Sequence, residues 1–180
     1  MSSAAKLPRA LRLDASDRFV FVHAAEPEEA CVVGTFAFRD ADPQALSGKS
    51  LAAFRGGFLG VASCGWSTLV AVAEVSAAER EAACRALAET LLARFGCPDP
   101  ALAREAAEEE LAFASEICAP HAAGTVIALS RRFEDGTIRE RFRTLAPRAD
   151  RGPGMPFRLV EVEDEQAPEA PDLVAMARRP

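Results

Sequence analysis

Cys64 comes nearest, by type and setting, to catalytic chemistry in this chain. It lies in GGFLGVASCGWS (56–67), among glycines and two residues before the only tryptophan, Trp66. A nucleophilic cysteine needs a depressed thiol pKa, supplied by a helix N-terminus, a cation or a histidine base. The chain has two histidines, His23 and His121. The local pattern places His23 on a strand and His121 after a helix end, so only tertiary contact brings either to Cys64. The structural alternative is that Gly56, Gly57, Gly60 and Gly65 supply turns around a buried Phe58–Leu59 pair, with Trp66 starting a strand and packing on the core. The sequence favours the turn and keeps Cys64 as a weak catalytic candidate. If a pocket forms near residues 55–67, Ser63 and Ser67 are its polar groups and Arg55 is its anion anchor.

Three further constellations carry chemistry in principle. Gly48-Lys49-Ser50 ends like a phosphate loop, but the position of its first glycine is Pro43 and no glycine-rich cradle precedes it. Glu108, Glu109, Glu116 and His121 suggest metal ligands, yet Pro120 separates the last two and no second half-site follows. No metal and no cofactor is therefore expected. Arg131, Arg132, Arg139, Arg141 and Arg143 gather on one expected hairpin. The planar guanidinium fork suits carboxylates and phosphates. These arginines, with Arg55, are candidates for binding an anion or an acidic partner. The competing reading pairs them across strands with Glu134, Glu140 and an acidic C-terminal segment.

The 180 residues amount to one domain, with 49% hydrophobic and 27% charged content. A formal net charge of −6 weighs against broad nucleic-acid binding, which needs a basic face. Lys6 and Lys49 are the only lysines, a bias that a high-GC genome produces by itself. Cys31, Cys64, Cys84, Cys97 and Cys118 contain no C-x-x-C pair. The first residues show no secretory h-region and no run is long enough to span a membrane. Free thiols in a reducing cytoplasm are the expectation.

These residues must be positioned by local elements. Residues 1–7 read as disordered and Ala10 to Asp14 as a short strand. RFVFVHA (18–24) and CVVGTFAF (31–38) read as two strands of one antiparallel hairpin. Asp42 as N-cap with Pro43 at the first helical position predicts a helix to Phe54, weakened in its middle by Gly48 and stopped by Gly56–Gly57. WSTLVAVAEV (66–75) reads as a central strand. Ser76 and Glu79 form a capping box for a helix with an apolar stripe at Cys84, Leu87, Ala88, Leu91, Leu92 and Phe95, ended by Gly96. Asp99-Pro100 starts another helix, to Cys118, with Leu102, Ala106, Phe113 and Ile117 on its buried face. Asp135-Gly136 between GTVIALSRRF and TIRERFRTL predicts a hairpin with Arg139, Arg141 and Arg143 facing solvent.

The sum is an α+β domain over residues 7–147: an antiparallel or mixed sheet of about five strands with three helices, in the order βββαβααββ. Residues 148–180, rich in Pro, Gly and acid, read as a loose tail in which PFRLVEV adds an edge strand or docks on the body.

LRLDASDRFVF, VVGTFAF followed by DADPQALSGK, FRGGFLGVASCGWSTLV and RERFRTL together resemble a family of small bacterial proteins of unknown function, over residues 7–147. That resemblance implies a bacterial cytosolic protein and assigns no catalytic residue. The functional expectation is a non-enzymatic accessory or protein-interaction protein with a protein partner or a second copy, without nucleic acid or membrane. The alternative is a small-molecule-binding protein or small enzyme with its pocket at residues 55–67 and Cys64 as a reactive thiol.

Overall fold

A computed structural model describes residues 5–13 and 16–145. PFRLVEV and the rest of the expected tail lie outside them. The fold is α+β, with four helices and two antiparallel sheets among the described residues. Strands β1 (Ala5–Leu11), β5 (Leu69–Val75), β6 (Val126–Glu134) and β7 (Thr137–Leu145) form one sheet in the order β1-β5-β6-β7. Strands β2 (Cys31–Val32), β3 (Phe58–Gly60) and β4 (Trp66–Ser67) form the other. The expected single sheet of about five strands is thus two sheets. Residues 5–7, read as disordered, pair with β5 from Ala5↔Val75 onward.

The expected hairpin of 18–24 with 31–38 does not form. Asp17–Val20 is one turn of helix, α1, held where Thr68 Oγ1 donates to the Asp17 carboxylate at 2.7 Å. Phe21 enters the core, while Phe19 and Val22 are 76% and 81% exposed. The aromatic and β-branched types there carried strand propensity, and tertiary contact overrode it. The second segment stops being a strand at Gly34, whose φ of 75° turns the chain into a 3-10 turn over Thr35–Phe38. A Cβ on Gly34 would lie 2.5 Å from that of Leu59, so this turn is packed directly on β3.

Helix α2 (Gly48–Gly56) begins later than Asp42-Pro43 suggested. Asp42 instead accepts the Gln44 N–H at 2.9 Å in a local turn. Gly48 has φ 53°, a left-handed value, so a helix running from Pro43 cannot pass through it. Gly56 and Gly57 end α2 as expected.

Helices α3 (Ala77–Arg94) and α4 (Pro100–Cys118) follow their capping signals. Ser76 and Glu79 make the reciprocal box, and Asp99 accepts from Ala101 and Leu102 N–H. Gly96 turns the chain with φ 66°. The buried face of α4 differs from expectation: it is Ala103, Ala107, Leu111, Ala114 and Cys118, with Leu102 and Phe113 left exposed. Small residues let α4 approach α3, where Cys84, Leu87 and Leu91 join the same core cluster. Arg104 clamps the pair with a two-pronged contact to Glu81 at 2.9 and 2.8 Å.

Strands β6 and β7 join through Asp135-Gly136, both at positive φ (53° and 75°), with Glu134 opposite Thr137. This is the tight mirror-image turn whose twist matches the strands.

Candidate functional site: the arginine hairpin and its cleft

The turn geometry fixes where each arginine points. Directly opposed residues share a face, so Arg132↔Arg139, Ser130↔Arg141 and Ala128↔Arg143 form one face, and Arg131↔Glu140 belongs to the other. Arg132, Arg139, Arg141 and Arg143 are exposed. Among the described residues, Arg132 and Arg139 keep only long contacts with Glu134, 4.0 and 3.6 Å. Exposed pairs of this kind contribute about 0–1 kcal/mol, so those guanidinium groups are readily drawn to another carboxylate.

Arg131 is not on this surface. It is 1% exposed and is the largest fully buried side chain among the described residues. Its guanidinium donates to the carbonyls of Phe54 (3.0 Å) and Gly57 (2.9 Å) at the end of α2, and to the carbonyl of Val33. Nε reaches Thr35 Oγ1 at 2.8 Å and Glu140 Oε1 at 3.2 Å. Arg131 therefore caps the C-terminus of α2, where orphan carbonyls and the dipole favour a cation. It also ties α2 and the Gly34 turn to the sheet.

Glu110 of α4 borders this cluster. Burial, and then the Glu140 charge, push its carboxyl up to about 7, against the pull of Arg131 and the Gly34 N–H. Glu109 adds a further raising contribution. A carboxyl raised from 4.5 holds its proton longer folded than unfolded, so stability falls as pH rises from about 4.5 to about 7. The expected loss across that window is about 2 kcal/mol, allowing for partial exposure. Urea unfolding at pH 5 and pH 8 should show it, and Glu110→Gln should flatten the difference. An unchanged slope in Glu110→Gln would place the titrating group elsewhere.

Arg55 and Arg131 come together, as walls of one cleft of about 580 Å³ between α2 and β6. Pro43, Leu51, Phe54 and Phe133 supply its apolar surface, while Ser130, Arg132 and Glu134 open it toward the arginine face. Arg139, Arg141 and Arg143 do not line it.

Cys64 sits apart from this cleft. It has φ 57° and donates its backbone N–H to Gly60 at 3.1 Å, inside the tight connection between β3 and β4. Burial pushes its thiol above the ordinary value, opposed by Arg94 and reinforced by Glu29. An activated nucleophile needs the reverse. The polar groups beside it are engaged: Ser63 Oγ donates to Glu29 at 2.7 Å, and Ser67 Oγ to the Leu69 carbonyl at 2.7 Å. Glu29 also accepts the N–H groups of Ala62 and Ser63, so it shapes the whole loop. Lys49 of the phosphate-loop-like triplet reaches the Phe21 carbonyl at 3.5 Å.

Arg131 was expected among the anion-binding arginines and is instead in the core, while Glu110 and Glu29 were not singled out from the sequence. The signal for Arg131 was its place in the alternation Ile127, Leu129, Arg131, Phe133, an arginine within an apolar row. Glu110 stands three residues after Ala107 and four before Ala114, on the flank of the buried stripe. Glu29, in a loop, gave no periodic signal.

Residues 5–152 match a family of unknown function, DUF6505. The chain belongs to DUF6505. The DUF6505 match takes in the whole hairpin, the cleft and the Cys64 loop. No curated protein and no solved structure matches the chain. Among the described residues of this DUF6505 member, no helix is long and apolar enough to cross a membrane.

Proposed function

We propose that the protein is a non-enzymatic accessory protein that binds an acidic partner chain on the outer face of the β6–β7 hairpin. The supporting observation is the row of exposed arginines, Arg132, Arg139 and Arg141, on an edge hairpin of a chain whose net charge is −6. Concentrated positive charge on an acidic protein steers and orients a negatively charged partner. Among the described residues, strand β7 is the last strand of its sheet, and Arg139 and Arg141 on it are exposed. The five cysteines are free thiols, and such usage suits a reducing bacterial cytoplasm.

The test is direct titration of the full chain with a blocked hexapeptide of alternating valine and glutamate. Binding is expected to weaken about tenfold or more between 50 and 200 mM salt if several charge contacts form. The valine–lysine counterpart should not bind. Equal binding of both peptides would overturn the proposal.

A further inference from the structure

Backbone geometry at the cleft carries the reading further. In a two-residue hairpin the closing pair, Glu134 and Thr137, exchanges backbone hydrogen bonds, and such pairs then alternate along the ladder. Arg132 and Ser130 therefore bond to β7, whereas Leu129, Arg131 and Phe133 direct their N–H and C=O groups away from it. The same parity appears where the Val72 N–H donates to the Thr125 carbonyl at 2.9 Å on the far side of β6. Strand β5 pairs with β6 only as far as Leu69↔Ala128. Beyond that point the inner edge of β6 faces α2 across the cleft. The Phe133 N–H and C=O have no strand partner there among the described residues.

We infer that the cleft between α2 and the inner edge of β6 is a strand-addition groove, which takes an extended acidic segment of a partner protein by pairing with the Phe133 backbone and holding a carboxylate at Arg55 and Arg132. The inference rests on the acidic-partner reading and names where that partner is anchored. A groove between a helix and an unpaired strand edge supplies main-chain bonds for affinity and side-chain subsites for specificity. Charge selects the occupant. The cleft has three arginines and one carboxylate, Glu134. Arg131 is engaged with carbonyls and Glu140, which leaves Arg55 and Arg132 as cationic walls. Leu51, Phe54 and Phe133 suit the apolar side chains of an alternating segment. Arg132 also belongs to the face of Arg139 and Arg141, so one chain can occupy groove and face continuously.

The test uses the full chain and the valine–glutamate hexapeptide, with amide exchange followed residue by residue by NMR. The expected result is at least tenfold slower exchange of the Phe133 N–H at saturation, and at least tenfold weaker peptide binding by Arg55→Glu. Peptide binding that leaves Phe133 exchange and the Arg55→Glu affinity unchanged overturns the groove but leaves the arginine-face reading standing. A Phe133 N–H already protected without peptide overturns the partner assignment. Independence of concentration would then point to the chain's own remaining residues, and concentration dependence to a second copy. Absence of any peptide binding overturns both readings.

Discussion

Replacing Arg131 with methionine should abolish cooperative folding, or lower stability by at least about 5 kcal/mol. The side chain fills its site completely, so part of the loss is packing. The larger part is polar. Methionine would leave the carbonyls of Val33, Phe54 and Gly57 without their buried donor, and Glu140 without its cation. Each orphaned acceptor costs about 1–3 kcal/mol, and whole domains are stable by only about 5–15 kcal/mol. Arg131→Lys retains the charge but cannot span carbonyls on both sides of the site, so it should fold with a loss of about 2–3 kcal/mol. Urea unfolding followed by circular dichroism measures both. A methionine variant within about 1 kcal/mol of the parent would show that the carbonyls find other donors or water.

Gly65→Ala should be nearly as damaging. The added Cβ would meet the carbonyl carbon and oxygen of Ala24, and would lie 2.5 Å from the Ala25 nitrogen. These are backbone atoms and cannot rotate aside. Relief requires moving the segment that pairs with Trp66, where the Trp66 N–H donates to the His23 carbonyl and the Ala25 N–H to the Trp66 carbonyl, both at 2.9 Å. Overpacking together with loss of these bonds is expected to cost about 3–5 kcal/mol. Trp66 itself stacks on Phe38, with ring centroids 5.2 Å apart, so the damage would reach the core formed by Phe21, Phe38, Ala53 and Phe54. Gly96→Ala is the control: nothing lies within 4 Å of its Cβ, and only the left-handed φ of 66° is strained, at about 1 kcal/mol. Equal thermal shifts for the two variants would mean that the Gly65 approach is not tight.

Close approaches at Gly57, Gly60 and Gly65 explain the glycine-rich stretch around Cys64. Its turns bring β3, β4 and the segment after α1 into backbone contact, and Glu29 anchors the loop from outside. The chemistry that the cysteine suggested is opposed by the direction of its own pKa shift.

The parts of the fold legible in the sequence were those written in local chemistry. Ser76 with Glu79, Asp99 with Pro100, and Asp135-Gly136 each satisfy backbone groups within a few residues, so their meaning does not depend on the rest of the chain. The segment from Asp17 to Phe38 was misread because contacts made by single residues overrode its strand propensity: Phe21 packs inward while Phe19 and Val22 stay exposed, and Gly34 packs against Leu59. The α4 face was misassigned because close helix packing selects alanine over the larger Leu102 and Phe113. For the site, alternation along β7 correctly placed Arg139, Arg141 and Arg143 on the outer face. The same rule applied to β6 separates Arg131 from them. The cleft was not legible, since it depends on β5 ending its pairing at Leu69 while β6 runs on to Glu134.

The most direct test of the arginine face is a charge exchange. Affinity of the full chain for the valine–glutamate hexapeptide is measured beside that of Arg139→Glu/Arg141→Glu, two exposed positions whose replacement leaves the core intact. The double variant is expected to lose this peptide by at least tenfold and to gain affinity for the valine–lysine peptide. Unchanged preference for the acidic peptide in the double variant would contradict the arginine-face reading.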